Sequence, residues 1–138
     1  MSVTTAEVAE IIRGVSTRVI DPGFRRLSPD QIHEKAPGDL VTDLDRQAEG
    51  ELSRLLTSAG GGIVVGEESV HDDASVLQEL TTAELAWVID PIDGTKNYVN
   101  GSTHHAVMVA EVQHGVTTRS WTWQPQLGHM LSLIHISE

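Results

Sequence analysis

Asp90 and Asp93 lie on one short stretch, Trp87-Val-Ile-Asp-Pro-Ile-Asp-Gly-Thr-Lys-Asn-Tyr98, with Thr95 two positions further on. Two carboxylates converging on a turn suit a hard cation, because Mg²⁺ takes oxygen ligands and little else. Gly94 permits a positive φ. If a helix begins at Thr95, the free N–H groups of Gly94 and Thr95 suit a phosphate. Metal with phosphate is therefore the chemistry these residue types allow. The same letters also spell an ordinary surface turn, since Asp-Pro and Asp-Gly are common turn formers. Carboxylates at other strand and helix ends would separate the two readings.

Two such places exist. Ile63-Val64-Val65 is a short β-branched run followed by Gly66-Glu67-Glu68, and ligands of open α/β sheets collect at the carboxyl ends of strands. Adjacent acids more often face solvent, but two strand ends of the same kind in one chain shift the balance. Asp45 and Glu49 share a helix face near its N-terminus; there the plainer account is that acids in a first turn favour the helix dipole with no chemistry at all. Lys35 reads as a solvated side chain or, less simply, as a cation near the site. His104 and His105 are adjacent on a strand and point to opposite faces, so both cannot reach one ion.

The elements that must position these groups follow from pattern. Thr4-Thr-Ala-Glu7 has capping-box spacing, and Val8, Ile11, Ile12, Val15 and Val19 recur at helical intervals until Asp21-Pro22-Gly23. Residues 24–38, with Pro29 and Pro37, read as a loop. Thr42 is the expected N-cap of a second helix carrying Leu44, Ala48, Leu52, Leu55 and Leu56, stopped by the glycines at 60–62. His71-Asp72-Asp73 reads as surface loop and residues 74–80 as a short helix. The apolar run Leu85 to Ile89 is a strand, and Pro91, lacking an N–H, is expected to end its ladder pairing. His104 to Val112 reads as a strand buried on both faces, with a His114-Gly115 hairpin leading into Val116 to Trp123. Trp87, Trp121 and Trp123 are expected in packing roles.

The chain has 138 residues, 39% hydrophobic and 21% charged, which fits a folded domain or half of a larger one. Its net charge of −11 argues against nucleic acid as a partner and is compatible with gathering divalent metal. Cysteine is absent, which excludes disulfides and thiolate metal sites and is compatible with a reducing compartment. No apolar run approaches the roughly 20 residues of a membrane span, and the N-terminus does not resemble a signal peptide. A cytoplasmic location is expected.

Three motifs together, Asp39-Leu-Val-Thr-Asp-Leu-Asp45 with Glu49, Gly66-Glu-Glu-Ser69, and Asp90-Pro-Ile-Asp-Gly-Thr95 with Asn97, resemble those of the inositol monophosphatase family. These are Mg²⁺-dependent, lithium-sensitive sugar phosphatases, and the resemblance runs from the first helix to about Met130. It implies an α/β layered sandwich of which this chain is the N-terminal portion. It also implies two or three Mg²⁺ ions. Glu67, Asp90 and the carbonyl of Ile92 would be ligands of the first metal, and Asp90 and Asp93 of the second. Asp45 and Thr95 would orient and deprotonate the attacking water, and Gly94 and Thr95 would cradle phosphate. Glu68 and Lys35 are weaker correspondences. The implied substrate is a small phosphorylated alcohol such as inositol monophosphate. Histidinol phosphate, fructose 1,6-bisphosphate and 3′-phosphoadenosine 5′-phosphate are alternatives, as is a catalytically incomplete metal-binding fragment. A homodimer is expected of the full-length parent.

The chain also departs from the family pattern. Members are commonly about twice as long, and their second half supplies a further Asp to the second metal in a Trp-Asp context that Trp121-Thr122 and Trp123-Gln124 do not provide. Tyr98 stands where Phe is frequent, and Thr117-Thr-Arg-Ser120 is unusually polar for its strand. Residues 1–130 are therefore expected to form the N-terminal part of such a domain. One choice of codons for Leu131–Glu138 reproduces a sequencing-library adapter, so 131–138 is expected to be a non-native tail and His135 to carry no function. A layered fold cut midway exposes sheet edge and apolar face, and the isolated chain is expected to be marginally stable and inactive.

Overall fold

The computed structural model describes residues 3–134, apart from the side chains of Glu68, His71 and Asp72. Helix α1 (Thr5–Val15) opens on the Thr4 and Glu7 capping box, in which the Thr4 hydroxyl accepts the Glu7 N–H and the Glu7 carboxylate accepts the Thr4 N–H. It then widens into a π-type turn over Ser16–Ile20 before the Pro22 turn, so Val19 and Ile20 still reach the core.

The stretch expected to be loop is partly sheet. Strands β1 (Ile32–Ala36) and β2 (Asp39–Thr42) pair antiparallel, with Ala36 opposite Asp39. Pro37 and Gly38 thus occupy the two central positions of a tight turn, Gly38 at φ +80°. Proline there closes a hairpin instead of merely breaking structure, because its fixed φ suits the first central position. The hairpin delivers the chain to helix α2 (Asp43–Gly60), whose N-cap is Thr42 as expected.

Beyond α2, strand β3 (Ile63–Gly66) passes directly into α3 (Glu67–Asp72), so His71 and Asp72 belong to a helix and not to the expected loop. A short helix α4 (Val76–Glu79) precedes β4 (Ala86–Asp93), α5 (Thr95–Val99), β5 (Ala106–Gln113), β6 (Val116–Gln124) and β7 (His129–Ile134). The five-stranded sheet has the order β3-β4-β5-β6-β7; β3 and β4 are parallel and the remaining pairs antiparallel. Pairing of β4 does not stop at Pro91. The register shifts between Asp90 and Asp93 and resumes with Asp93 opposite Ala106, so Pro91 sits in a bulge where no ladder N–H is needed. Residues 131–134 extend β7 along the open edge of β6, across the boundary expected at residue 130.

Helices α1 and α2 cover one face of the sheet. Val8, Ile12 and Val15 of α1 and Ala48, Leu52 and Leu56 of α2 pack with Trp87, Ile89, Val107, Val109 and Trp121 in a single core. Each of the valine, isoleucine and leucine side chains contributes roughly 1.5–3 kcal/mol on full burial. The indole N–H groups of Trp87 and Trp121 donate to the carbonyls of Gly61 and Thr5, tying both helices to the sheet. The opposite face is open: Val88, Asp90, Met108, Ala110, Ser120 and Thr122 line a shallow cavity of about 380 Å³. Met108 is 39% exposed there, so β5 is not buried on both faces as expected.

Candidate active site

Two elements of the sheet end side by side. Gly66, the last residue of β3, pairs with Ile89 of β4, so the chain leaves β3 into Glu67 beside the point where β4 reaches Asp90. The β4 bulge then carries the backbone past Ile92 to Asp93 and Gly94. Gly94 adopts φ +82° and caps α5, where a Cβ would sit 3.0 Å from the His104 carbonyl oxygen. A cavity of about 230 Å³ is lined by Glu67, Asp90, Ile92, Asp93, Gly94 and Thr95, with the β1–β2 hairpin closing one side through Gly38, Asp39 and Leu40.

The carboxylates interact strongly. Burial is the largest cause pushing Asp90 up to about 7; the charges of Glu67 and Asp93, a hydrogen bond with Glu67 and the charge of Asp45 act in the same direction. Asp90 Oδ1 is buried without a hydrogen-bond donor among the described residues, a cost that a cation ligated at that oxygen would offset. Lys35 is not the solvated side chain expected. It extends from β1 with its side chain 8% exposed and places Nζ 2.9 Å from Glu67 Oε1. Among the described residues, no group of three His, Asp or Glu side chains closes around a single point. The cavity lining nevertheless brings together the carboxylates of Glu67, Asp90 and Asp93, with Lys96 also on the rim, and carboxylate oxygens are the donors Mg²⁺ takes.

Behind Thr95 stands Asp45. It is 3% exposed, which dipole stabilisation on a surface helix does not require. Its Oδ2 accepts both the N–H (2.7 Å) and the hydroxyl (2.6 Å) of Thr42, while its Oδ1 accepts the Thr95 hydroxyl at 3.1 Å. Thr95 Oγ1 also lies 3.0 Å from the Ile92 carbonyl oxygen. Both neighbours are acceptors and the hydroxyl has one hydrogen, so its lone pairs are left for a donor arriving from the cavity. Helix α5 is anchored from behind by Tyr98, whose hydroxyl donates to the Ile20 carbonyl at 2.6 Å. His105 packs against Phe24 and Tyr98 with Nδ1 on the Ser102 carbonyl, and burial holds its pKa below the usual imidazole value. β5 begins at Ala106, so His104 and His105 lie in the connection before it and not on the strand as expected; His104 is exposed while His105 is buried. The Glu68 side chain lies outside the described residues.

The Inositol monophosphatase family pattern matches residues 2–135. This chain belongs to the inositol monophosphatase family. Over 134 residues it is 31% identical to inositol-1-monophosphatase ImpA of Mycolicibacterium smegmatis, covering 97% of this chain and 45% of the relative. It is 31% identical over 102 residues to the Nus factor SuhB of Vibrio cholerae, covering 74% and 36%. A solved structure described as an IMPase/NADP phosphatase complexed with Mg²⁺ and phosphate superimposes with a TM-score of 0.74 at 19% identity, over 92% of this chain and 46% of that one, and so supports the α/β layered fold. The chain spans less than half the length of these relatives.

The family is one of phosphatases. Sequence reasoning picked out the acids of the cavity but missed two supports of it. The β1–β2 hairpin turns on Pro37-Gly38 between Ala36 and Asp39, a local signal in which proline forms the turn and does not merely break structure. The environment of Glu49, which meets Ser69 twenty positions away, has no local signature.

Proposed function

We propose that the protein is a Mg²⁺-dependent phosphomonoesterase acting on a small phosphorylated alcohol, inositol monophosphate in the first instance, through a metal-activated water. The observation that supports this is the Thr95 hydroxyl held between Asp45 Oδ1 and the Ile92 carbonyl, on the rim of the cavity that Glu67, Asp90 and Asp93 line. Glu67, Asp90, Asp93 and the Ile92 carbonyl would hold Mg²⁺, which when bound supplies a water of lowered pKa and neutralises phosphate charge. Thr95 accepts the proton of the attacking water as its own proton passes to Asp45. Thr42 keeps Asp45 from swinging away by occupying Oδ2. Gly94 and Thr95 present backbone N–H groups to the phosphate oxygens. Lys35 neutralises Glu67.

For the 138-residue chain alone, the proposed state is a metal-binding fragment without turnover, because it spans less than half the length of its relatives and the open sheet face reaches Asp90 and Asp93. A cytoplasmic location, a homodimer of the longer parent and the absence of a nucleic-acid partner complete the reading; among the described residues no helix is long and apolar enough to cross a membrane. Residues 131–138 are taken as adapter-encoded. The β7 pairing is compatible with this, because an edge strand is held by backbone hydrogen bonds that any sequence supplies; codons differing from the adapter would end the idea.

The test compares phosphate release from inositol monophosphate, histidinol phosphate, fructose 1,6-bisphosphate and 3′-phosphoadenosine 5′-phosphate, with Mg²⁺ and with chelator. It is run on the chain as it stands and on a form extended to family length. Mg²⁺-dependent release by the extended form, abolished in Asp93→Asn with the fold retained, is the expected result. Failure of the extended form on every ester sinks the reading.

A further inference from the structure

Glu49 is a buried carboxylate that the proposed reaction does not use. It lies on α2 one turn after Asp45, is 7% exposed, and accepts the Ser69 N–H on Oε2 at 3.1 Å. Ser69 is the third residue of α3, and its hydroxyl closes back on Gly66, accepting the Gly66 N–H and donating to the Gly66 carbonyl at 2.9 Å each. Glu67, the first residue of α3, is enclosed within this loop of hydrogen bonds. The approach is close: a Cβ on Gly66 would lie 2.3 Å from the Glu49 carboxyl carbon. Only glycine admits the carboxylate at that point.

We propose that Glu49 is a positioning residue for the metal-facing wall of the site, fixing the direction of Glu67 through the first turn of α3. This rests on the reading of Glu67 as a metal ligand. Helix α2 then sets the spacing of the whole site, with Asp45 holding Thr95 and Glu49, one turn later on the same rod, holding the turn that carries Glu67. Two walls contributed by distant parts of the chain are thereby referred to a single helix. The plainer account, favourable charge in a first helical turn, covers Asp43 and Asp45 but not Glu49, which lies one turn further on and is buried against the Gly66 backbone.

The experiment measures Mn²⁺ affinity of the 138-residue chain by electron paramagnetic resonance, with the near-ultraviolet dichroism of Trp87 and Trp121 reporting the fold. Glu67→Gln is expected to weaken Mn²⁺ binding and so tests the underlying reading on its own. Glu49→Leu is expected to weaken it about 10–100-fold, the usual effect of losing a group that orients a ligand. Glu49→Gln, which retains an acceptor for the Ser69 N–H, is expected to recover most of the affinity. Native dichroism with unchanged affinity in Glu49→Leu, while Glu67→Gln binds weakly, overturns the proposal. Should Glu49→Leu not fold, Gly66→Ala displaces the carboxylate without removing it, and unchanged affinity there overturns it equally. If neither the wild-type chain nor Glu67→Gln differs in binding, the assignment of Glu67 falls, and this inference with it.

Discussion

Thr95 and Asp45 are fifty positions apart in sequence, and Thr95 Oγ1 donates to Asp45 Oδ1 across 3.1 Å. The contact joins the first residue of a short helix after β4 to the N-terminal turn of α2, and its second oxygen is already taken by Thr42. Thr95→Val in the form extended to family length is therefore expected to lower kcat about 10²–10⁴-fold, the range for losing a positioned proton acceptor, with KM little changed. Thr95→Ser should keep most of the rate. Steady-state phosphate release decides it.

Asp90 governs a pH dependence in the metal-free protein. Buried and facing Glu67 and Asp93, it keeps its proton in the folded state up to about 7, while the unfolded chain releases it near 4. Between those values the unfolded state binds fewer protons, so stability contributed by the protonated form is full below pH 4 and is lost as pH rises through about 7. Urea midpoints measured in chelator are expected to fall across this window. Asp90→Asn should flatten the slope, and Mg²⁺ should stabilise the chain more at pH 8 than at pH 5.

Gly94 is constrained by conformation and by space, at φ +82° with the His104 carbonyl 3.0 Å from where a Cβ would be. Gly94→Ala is expected to cost about 1–2 kcal/mol for the left-handed backbone alone, read as a lower urea midpoint with an unchanged slope.

Glu111 and Arg119 face each other across β5 and β6, with Arg119 Nε 2.9 Å from Glu111 Oε1. Burial alone would raise the Glu111 pKa, but hydrogen bonds from Arg119 and Thr118 outweigh it and hold it low. Arg119 also reaches the Val3 carbonyl and the Thr5 hydroxyl, fastening α1 to the sheet. Arg119→Met should cost about 3–5 kcal/mol by leaving a buried carboxylate unpaired, whereas adding Glu111→Leu should recover part of that cost, the loss of the bonds to Val3 and Thr5 remaining. Thermal unfolding of the single and double variants separates the two outcomes.

Local pattern carried far in this chain wherever neighbours in sequence decide the outcome. The Thr4 and Thr42 caps, the stop at Gly61, the His114-Gly115 hairpin and the left-handed Gly94 all depend on groups within a few residues of one another. Pro91 misled because its missing N–H rules out ladder pairing at one residue only, and a bulge lets pairing resume at Asp93. Arg119 in a polar strand was a puzzle whose answer, Glu111 and the start of α1, lies on other elements.

The sequence by itself determined which carboxylates stand at the strand ends, the helix and strand periods that present them, and membership of a phosphatase family. Tertiary structure alone decided that Lys35 meets Glu67, that Asp45 divides its two oxygens between Thr42 and Thr95, and that Glu49 is buried against Gly66. The physical reason is range. Caps, turns and periodicity arise from interactions over one or two helical turns, whereas a carboxylate's burial and partners depend on which surfaces the sheet brings together.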